Sequence, residues 1–335
     1  MAEIPDAHIK SVFFLCINKL DGGVIKREPA ATGFFVKVPL KVGQQMQRVE
    51  YLVTARHCIY EARRDAIDDK LYVRFNLKSG TFVEVESNID DWITHPSADV
   101  AAIMVRNTKR PEGLSSVDVD AGGLLIELFV GPPPKYELVT RIDELGEEPI
   151  RMAPTVGYDV YFPGLFTQHS GKERNLPIAR FGHISRMPAA VKIRHAGTDS
   201  TIVAYLCEFH SMGGHSRSPV FFEHPVMRET EMVDENGNPT GVNRFDTARA
   251  FGFMGLVSGH YDLSATEAPS GDSLGDMQAK MNSGIAIVTP AEAVRQLLME
   301  DEVLVKEREK MKKDAEDNEP TPTMDFAATE DELST

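Results

Sequence analysis

Apolar positions along this chain cluster in short runs rather than recurring at helical spacing. Residues 11–17 (SVFFLCI), 33–38 (GFFVKV), 50–55 (EYLVTA), 71–76 (LYVRFN), 81–86 (TFVEVE) and 100–105 (VAAIMV) are rich in Val, Phe, Ile and Tyr, with Gly, Pro, Asp or Asn between them. Runs of that kind, spaced by turn formers, predict strands of an all-β sandwich or barrel. Six of them within 105 residues predict one small barrel. Pro111, Gly113, Gly122, Gly123 and the stretch Gly131-Pro132-Pro133-Pro134 break the pattern over 107–155, leaving one candidate strand at 124–130. The runs then resume at 156–162 (VGYDVYF), 178–185 (IARFGHIS), 201–208 (TIVAYLCE), 218–223 (SPVFFE), 251–258 (FGFMGLVS) and 284–288 (GIAIV), a second set of six.

The segment between 223 and 250 reads as an insertion. Its Asp234-Glu235-Asn236-Gly237-Asn238 faintly resembles a calcium loop, but Pro239 stands where such a loop needs Gly and Phe245 where it needs the bidentate Glu. Asn-Gly chemistry predicts a hairpin turn instead. One helix is well signalled. Thr289 is the predicted N-cap, Pro290 the first helical residue and Glu292 the third past the cap, and Val294, Leu297 and Leu298 follow at helical spacing. The prediction is therefore an all-β protein of two six-stranded antiparallel β-barrels, one over 1–110 and one over 156–300, joined by 111–155. The second unit ends in the terminal helix. A charged, disordered tail is predicted over 301–335, within which Asp301 to Lys313 can extend the helix into solvent.

Composition narrows the function classes. A chain of 335 residues with 42% hydrophobic content can bury a sizeable core. Of the net charge of -15, residues 314–335 carry -8 with no Lys or Arg, so the body is only mildly acidic. That excludes the electrostatic footprint of a nucleic-acid binder. No apolar run is long enough to predict a membrane-spanning helix. Met1-Ala2-Glu3-Ile4-Pro5-Asp6 lacks the basic start and apolar run of a secretory signal. Cys16, Cys58 and Cys207 are an odd, sparse set, which fits a reducing compartment. A cytoplasmic location is the expectation. His210, His215, His224 and His260 follow no zinc spacing, so no metal is expected, and no cofactor.

Three segments carry chemistry. In Tyr51-Leu52-Val53-Thr54-Ala55-Arg56-His57-Cys58 an apolar strand delivers a histidine, and a general base must be held rigidly at a cleft. In His95-Pro96-Ser97-Ala98-Asp99-Val100-Ala101 an aspartate opens an apolar run at a barrel rim. There it can accept a ring N–H and fix the tautomer. Asp90 and Asp91 are its rivals. In Gly213-Gly214-His215-Ser216-Arg217-Ser218-Pro219-Val220 a glycine-rich turn presents a serine with backbone N–H groups free to bind an oxyanion. Ser218 is the competing serine, better read as the start of the departing strand. Cys58 beside His57 reads as a small core residue rather than a thiol nucleophile.

Those three segments, in that order, resemble the Thr-Ala-x-His-Cys, Asp-Ile/Val-Ala and Gly-x-Ser-Gly-Gly/Ser-Pro-Val motifs of the trypsin-like (chymotrypsin-fold) serine proteases. Thr32-Gly33-Phe34-Phe35-Val36, Gly255-Leu256-Val257-Ser258-Gly259 and the helix after 289 are similar too. The resemblance spans about residues 8–300. Its nearest likeness is to intracellular bacterial trypsin-like peptidases, through Tyr161-Phe162-Pro163-Gly164-Leu165-Phe166 and the ARFGHIS stretch over 179–185.

The resemblance implies a triad of His57, Asp99 and Ser216. It implies an oxyanion hole from the backbone N–H groups of Gly214 and Ser216. It also implies a substrate-binding strand at Ser258, Gly259 and His260, with His210 at the base of the specificity pocket. Two positions depart from the pattern: Arg217 stands where the family has Gly, and His215 where secreted members have Asp.

The implied function is a serine endopeptidase acting on protein or peptide substrates through an acyl-enzyme. Arg217 favours an alternative, a pseudoprotease that binds peptides or proteins without cleaving. The acidic tail reads as a solvated segment or as one that docks on a partner. No Asp lies six before Ser216, so a preference for Lys or Arg is not supported. Neither nucleic acid nor membrane is an expected partner.

Overall fold

The computed structural model describes residues 4–114, 118–126, 129, 131, 138–140, 150–166, 169–195, 198–209, 217–234, 238–263 and 281–317. A five-residue helix α1 (Asp6–Lys10) leads into β1 (Val12–Asp21), β2 (Val24–Val42) and β3 (Gln45–Thr54). Helix α2 (Arg56–Asp65) follows, then β4 (Lys70–Asn76), β5 (Phe82–Asn88), β6 (Ile93–Thr94) and β7 (Ala101–Met104). After the short β8 (Leu124–Leu125), β9 (Leu138–Thr140) and β10 (Ile150–Met152), the second half holds β11 (Asp159–Gly164), β12 (Ile178–His195), β13 (Thr198–Phe209), β14 (Pro219–Val233), β15 (Pro239–Leu263) and β16 (Met281–Pro290). Helices α3 (Ala291–Glu300) and α4 (Glu302–Asp317) end it.

All twelve predicted strands are present, on a two-barrel plan. The first sheet runs β5-β4-β1-β2-β3-β7-β6, with β8 added in parallel on β2. It holds eight strands rather than six, and among the described residues no pairing closes β6 onto β5. The turn at Ile89–Asp91 spans that gap. The second sheet is a closed six-stranded barrel, β11-β12-β13-β16-β15-β14. Its strands outrun the predicted windows, because β14 and β15 continue as a ribbon through the 223–250 insertion to a turn where Asn238 N–H donates to Asp234 Oδ1. The hairpin reading of that segment holds.

The β1–β2 hairpin turns on Gly22 and Gly23, with φ of +57° and +81°. A two-residue turn of that hand needs positive φ at both positions, which only residues like glycine adopt cheaply.

Each barrel fills its interior with aromatic residues. Phe13, Phe34, Phe35, Tyr51 and Phe75 lie in the first core, and Phe162, Tyr205, Phe209 and Phe222 in the second. The barrels meet through Phe253, whose ring lies 4.5 Å from Phe129 and 5.3 Å from Phe34. They also meet through His8, stacked 4.1 Å from Phe221 with its Nδ1 2.6 Å from the Tyr161 hydroxyl. Thr32 on β2 is a third stitch. Its carbonyl accepts from Thr54 Oγ1 and its hydroxyl accepts the Leu165 N–H of the second barrel. At this seam a Cβ on Gly164 would sit 1.9 Å from Ser218 Oγ, so any larger residue there forces Ser218 to move.

The C-terminus corrects the sequence reading twice. Helix α3 starts at Ala291 with Pro290 before it and no side-chain cap. The Thr289 hydroxyl is instead 2.6 Å from the Ser258 hydroxyl, because β16 runs on through Thr289 and turns it inward. The second correction concerns the tail, whose helical part to Asp317 packs on the body instead of extending into solvent. Asp301 Oδ1 accepts the N–H groups of Val303 and Leu304, starting α4. Leu304 and Arg308 are buried against the first barrel, and Arg308 donates to the Tyr51 hydroxyl at 2.7 Å. The high charge of this segment concealed an apolar face at Leu304 and Met311. The predicted disorder of 318–335 lies outside the described residues. No described helix is long and apolar enough to cross a membrane.

Candidate active site

His57 sits in the first turn of α2, just past the end of β3. The sequence read this point as a strand end; the chain in fact turns into a helix at Ala55. Its neighbours hold it: Cys58 N–H donates to the Ala55 carbonyl, and Thr54 Oγ1 lies 3.4 Å from Cys58 Sγ. Ala55 has no side chain with which to cap the helix, so the first N–H groups of α2 need an outside acceptor. Asp99 supplies it. Its Oδ1 accepts the His57 backbone N–H at 2.9 Å, and its Oδ2 lies 2.7 Å from His57 Nδ1. A carboxylate at a helix N-terminus is also favoured by the helix dipole. Asp99 is 2% exposed and His57 7%, so little water competes for these bonds. The sequence-predicted pair is thus brought together, with the ring proton directed to Nδ1 and Nε2 left as an acceptor.

The Asp99 turn is itself braced. His95 Nδ1 accepts the N–H groups of Ser97 and Ala98, and the Arg56 guanidinium donates to the carbonyls of His95 and Pro96. Burial and the nearby Arg56 charge hold His95 below its ordinary pKa, against an opposing hydrogen bond with Gln296, which suits the role of its Nδ1 as an acceptor. The rival aspartates lie elsewhere: Asp90 pairs with Arg63 at the surface, and Asp91 accepts from Asn88. Burial pushes the Cys58 thiol up to about 11 and that of Cys16 to about 12, so neither is a ready thiolate. Cys16, Cys58 and Cys207 are all free.

Of the loop predicted to carry the nucleophile, Ser216, Gly214 and His210 lie outside the described residues. Arg217, one peptide bond after Ser216, is described. Its Nε donates to His57 Nε2 at 3.2 Å, its Nη1 donates to the Ala30 carbonyl at 2.9 Å, and its Nη2 pairs with Glu61. Its backbone has φ of +88°, a region that costs a non-glycine residue about 1–3 kcal/mol. Its N–H donates to the Val257 carbonyl at 2.7 Å, which ties the turn to β15. A cavity of about 180 Å³ borders the pair, lined by Ala30, Cys58, Glu61, Ala62 and Arg217 among others.

The predicted substrate strand is β15. Its pairing with β14 ends at Pro219–Leu256, whereas its pairing with β16 continues to Leu263. Ser258 is buried and its hydroxyl is committed to Thr289, so it has only backbone to offer a ligand. Gly259 and His260 are half-buried. Sequence reasoning missed Arg56, Thr32, Ala30 and Glu61. Only Glu61 carried a signal: it stands four residues after His57, and that spacing places both on one helix face. Among the described residues, no three or more His, Cys, Asp or Glu side chains converge to hold a metal ion.

No family model matches this chain, and no curated protein matches it. Among solved structures, the MamO protease domain from Magnetospirillum magneticum is similar at 12% identity, with a TM-score of 0.41. The alignment covers 88% of this chain and 98% of that one. Deg5 is similar at 14% identity, with a TM-score of 0.40 and cover of 88% and 91%.

Proposed function

We propose that this chain is a serine peptidase that cleaves peptide bonds through Ser216, His57 and Asp99. The observation that carries the reading is the two-point grip of Asp99 on His57, with the second ring nitrogen facing the residue joined to Ser216. Ser216 Oγ attacks the scissile carbonyl while His57 Nε2 takes its proton. Asp99 holds the Nδ1–H tautomer and stabilises the imidazolium that forms. The same proton then passes to the leaving amine, and water repeats the sequence on the acyl-enzyme. The N–H groups of Gly214 and Ser216 are the proposed oxyanion donors. The peptide adds as a strand along Ser258, Gly259 and His260, where β15 outruns β14. His210 lines the primary pocket in this reading.

A fluorophosphonate probe tests the proposal, because it labels only an activated serine. Labelling mapped to Ser216 and lost in His57→Ala is the expected result. Labelling elsewhere, or labelling that survives loss of His57, would overturn it.

A second reading is a peptide-binding double barrel that does not cleave. The contact of Arg217 with His57 Nε2 favours it, since that nitrogen is the one a base must use. The two readings separate on whether any variant of residue 217 labels.

A further inference from the structure

We propose that Arg217 is a self-blocking latch on His57, set by Glu61, and that the conformation described here is the resting state of the site. The proposal rests on the peptidase reading above. An arginine Nε–H donates only to an unprotonated ring nitrogen, so the Nε2 lone pair is engaged at 3.2 Å. That same lone pair must accept the Ser216 proton. While the contact stands, the base has no free site. The imidazolium of the first step would also face a guanidinium, an unfavourable like-charge contact.

The latch has three points of attachment on two elements: Nε2 of His57 and the carboxylate of Glu61 on α2, and the carbonyl of Ala30 on β2. A guanidinium is planar with donors in a fixed fork, so these three acceptors determine its plane and position. Glu61 is the adjustable one. Its side chain is 44% exposed, against 12% for Arg217.

One feature makes the latch reversible. The bordering cavity, lined by both Glu61 and Arg217, gives the side chain space to move into when a peptide occupies the cleft. The closed and open states are then a two-state element that a ligand biases by binding only the open one.

The test compares wild type, Glu61→Ala and Arg217→Ala, each first shown to be folded by circular dichroism. Two readouts are taken: the fluorophosphonate labelling rate, and the ¹⁵N resonance of His57 Nε2, which senses the hydrogen bond whether or not the protein is active. Both variants are expected to shift the Nε2 resonance, because the Arg217 N–H is lost or freed from its place against it. Glu61→Ala is expected to label up to roughly fivefold faster than wild type, the range for losing a part-exposed ion pair. An Nε2 resonance unchanged in both variants would overturn the latch and leave the peptidase reading standing. So would a shifted resonance with no gain in labelling over a wild type that labels. Folded proteins in which Nε2 shifts but no variant labels would sink the peptidase reading itself, and the latch with it.

Discussion

Asp99 holds His57 at two points, with Oδ2 2.7 Å from the ring Nδ1 and Oδ1 accepting the backbone N–H at 2.9 Å. One carboxylate therefore fixes both the ring and the helix turn that carries it. Asp99→Asn keeps the shape but presents an amide NH2 to one of these donors, and the ring proton moves towards Nε2. Labelling and peptide hydrolysis are expected to fall by roughly three to four orders of magnitude. The melting temperature should drop only slightly, since the surrounding packing is unchanged. Kinetics and a thermal melt check this together; an Asp99→Asn protein of near-wild-type rate would remove Asp99 from the site.

Arg217→Gly separates strain from function. Glycine adopts φ of +88° without penalty, a gain of about 1–2 kcal/mol. Against it stand the part-exposed ion pair with Glu61, worth about 0–1 kcal/mol, and the greater freedom of glycine in the unfolded chain, about 0.4–1 kcal/mol. Net stability should therefore stay within about 2 kcal/mol of wild type, measured by denaturant titration. Labelling of Ser216 should rise. A stable Arg217→Gly protein that has lost an activity present in wild type would make Arg217 a positive part of the site.

The strands and the His57–Asp99 pair were legible in the sequence because both write themselves locally. Val, Phe and Ile runs bounded by Gly and Pro specify strands, and Thr54 to Cys58 and Ala98 to Ala101 carry the pair in short motifs. What the sequence hid depends on contacts between distant segments. Glu61, Ala30 and Arg217 meet only because β2 and α2 share an edge with the turn before β14. Thr289 looked like a cap because Thr-Pro-x-Glu fits one, but a hydroxyl on Ser258 claimed it. Helix α4 looked solvated because Arg308 counts as charge, while its contact with Tyr51 lies 257 residues away in sequence. The same is true of β6 in the first sheet, which is two residues long and carries almost no periodic signal, whereas β8 falls within the candidate strand at 124–130.

Acid should weaken the joint between the barrels at His8. Burial holds His8 down to about 4 from its ordinary 6.5, because the ring is enclosed between Phe221 and Tyr161. The unfolded chain therefore binds more protons than the folded one between those values. Stability from this residue is fully present above about 6.5 and is lost as pH falls towards and below 4, by about 3 kcal/mol in total. His8→Phe keeps the ring stack and removes the titration. Its denaturant midpoint should fall less steeply than that of wild type over this range. Parallel slopes in the two proteins would show that other groups control the acid response.

Two truncations distinguish tail from body at the C-terminus. A chain ending at Asp317 keeps α4 whole and should melt within about 1 °C of the full chain, because 318–335 has too few apolar residues to offset the entropy of ordering. A chain ending at Glu300 loses Leu304, which is 1% exposed, and Arg308, whose guanidinium donates to the Tyr51 hydroxyl and to the Leu298 carbonyl. Burial of one leucine contributes about 2–5 kcal/mol by the cost of its truncation, and a hydrogen bond from a charged donor about 1.5–3 kcal/mol. Tyr51 lies on β3, three residues before Thr54, so the damage reaches the strand that leads to His57. The shorter chain should therefore lose several degrees of melting temperature and label more slowly, with Leu304→Ala in the full chain reproducing most of the thermal loss. If the chain ending at Glu300 melts with wild type, α4 rests on the first barrel without stabilising it.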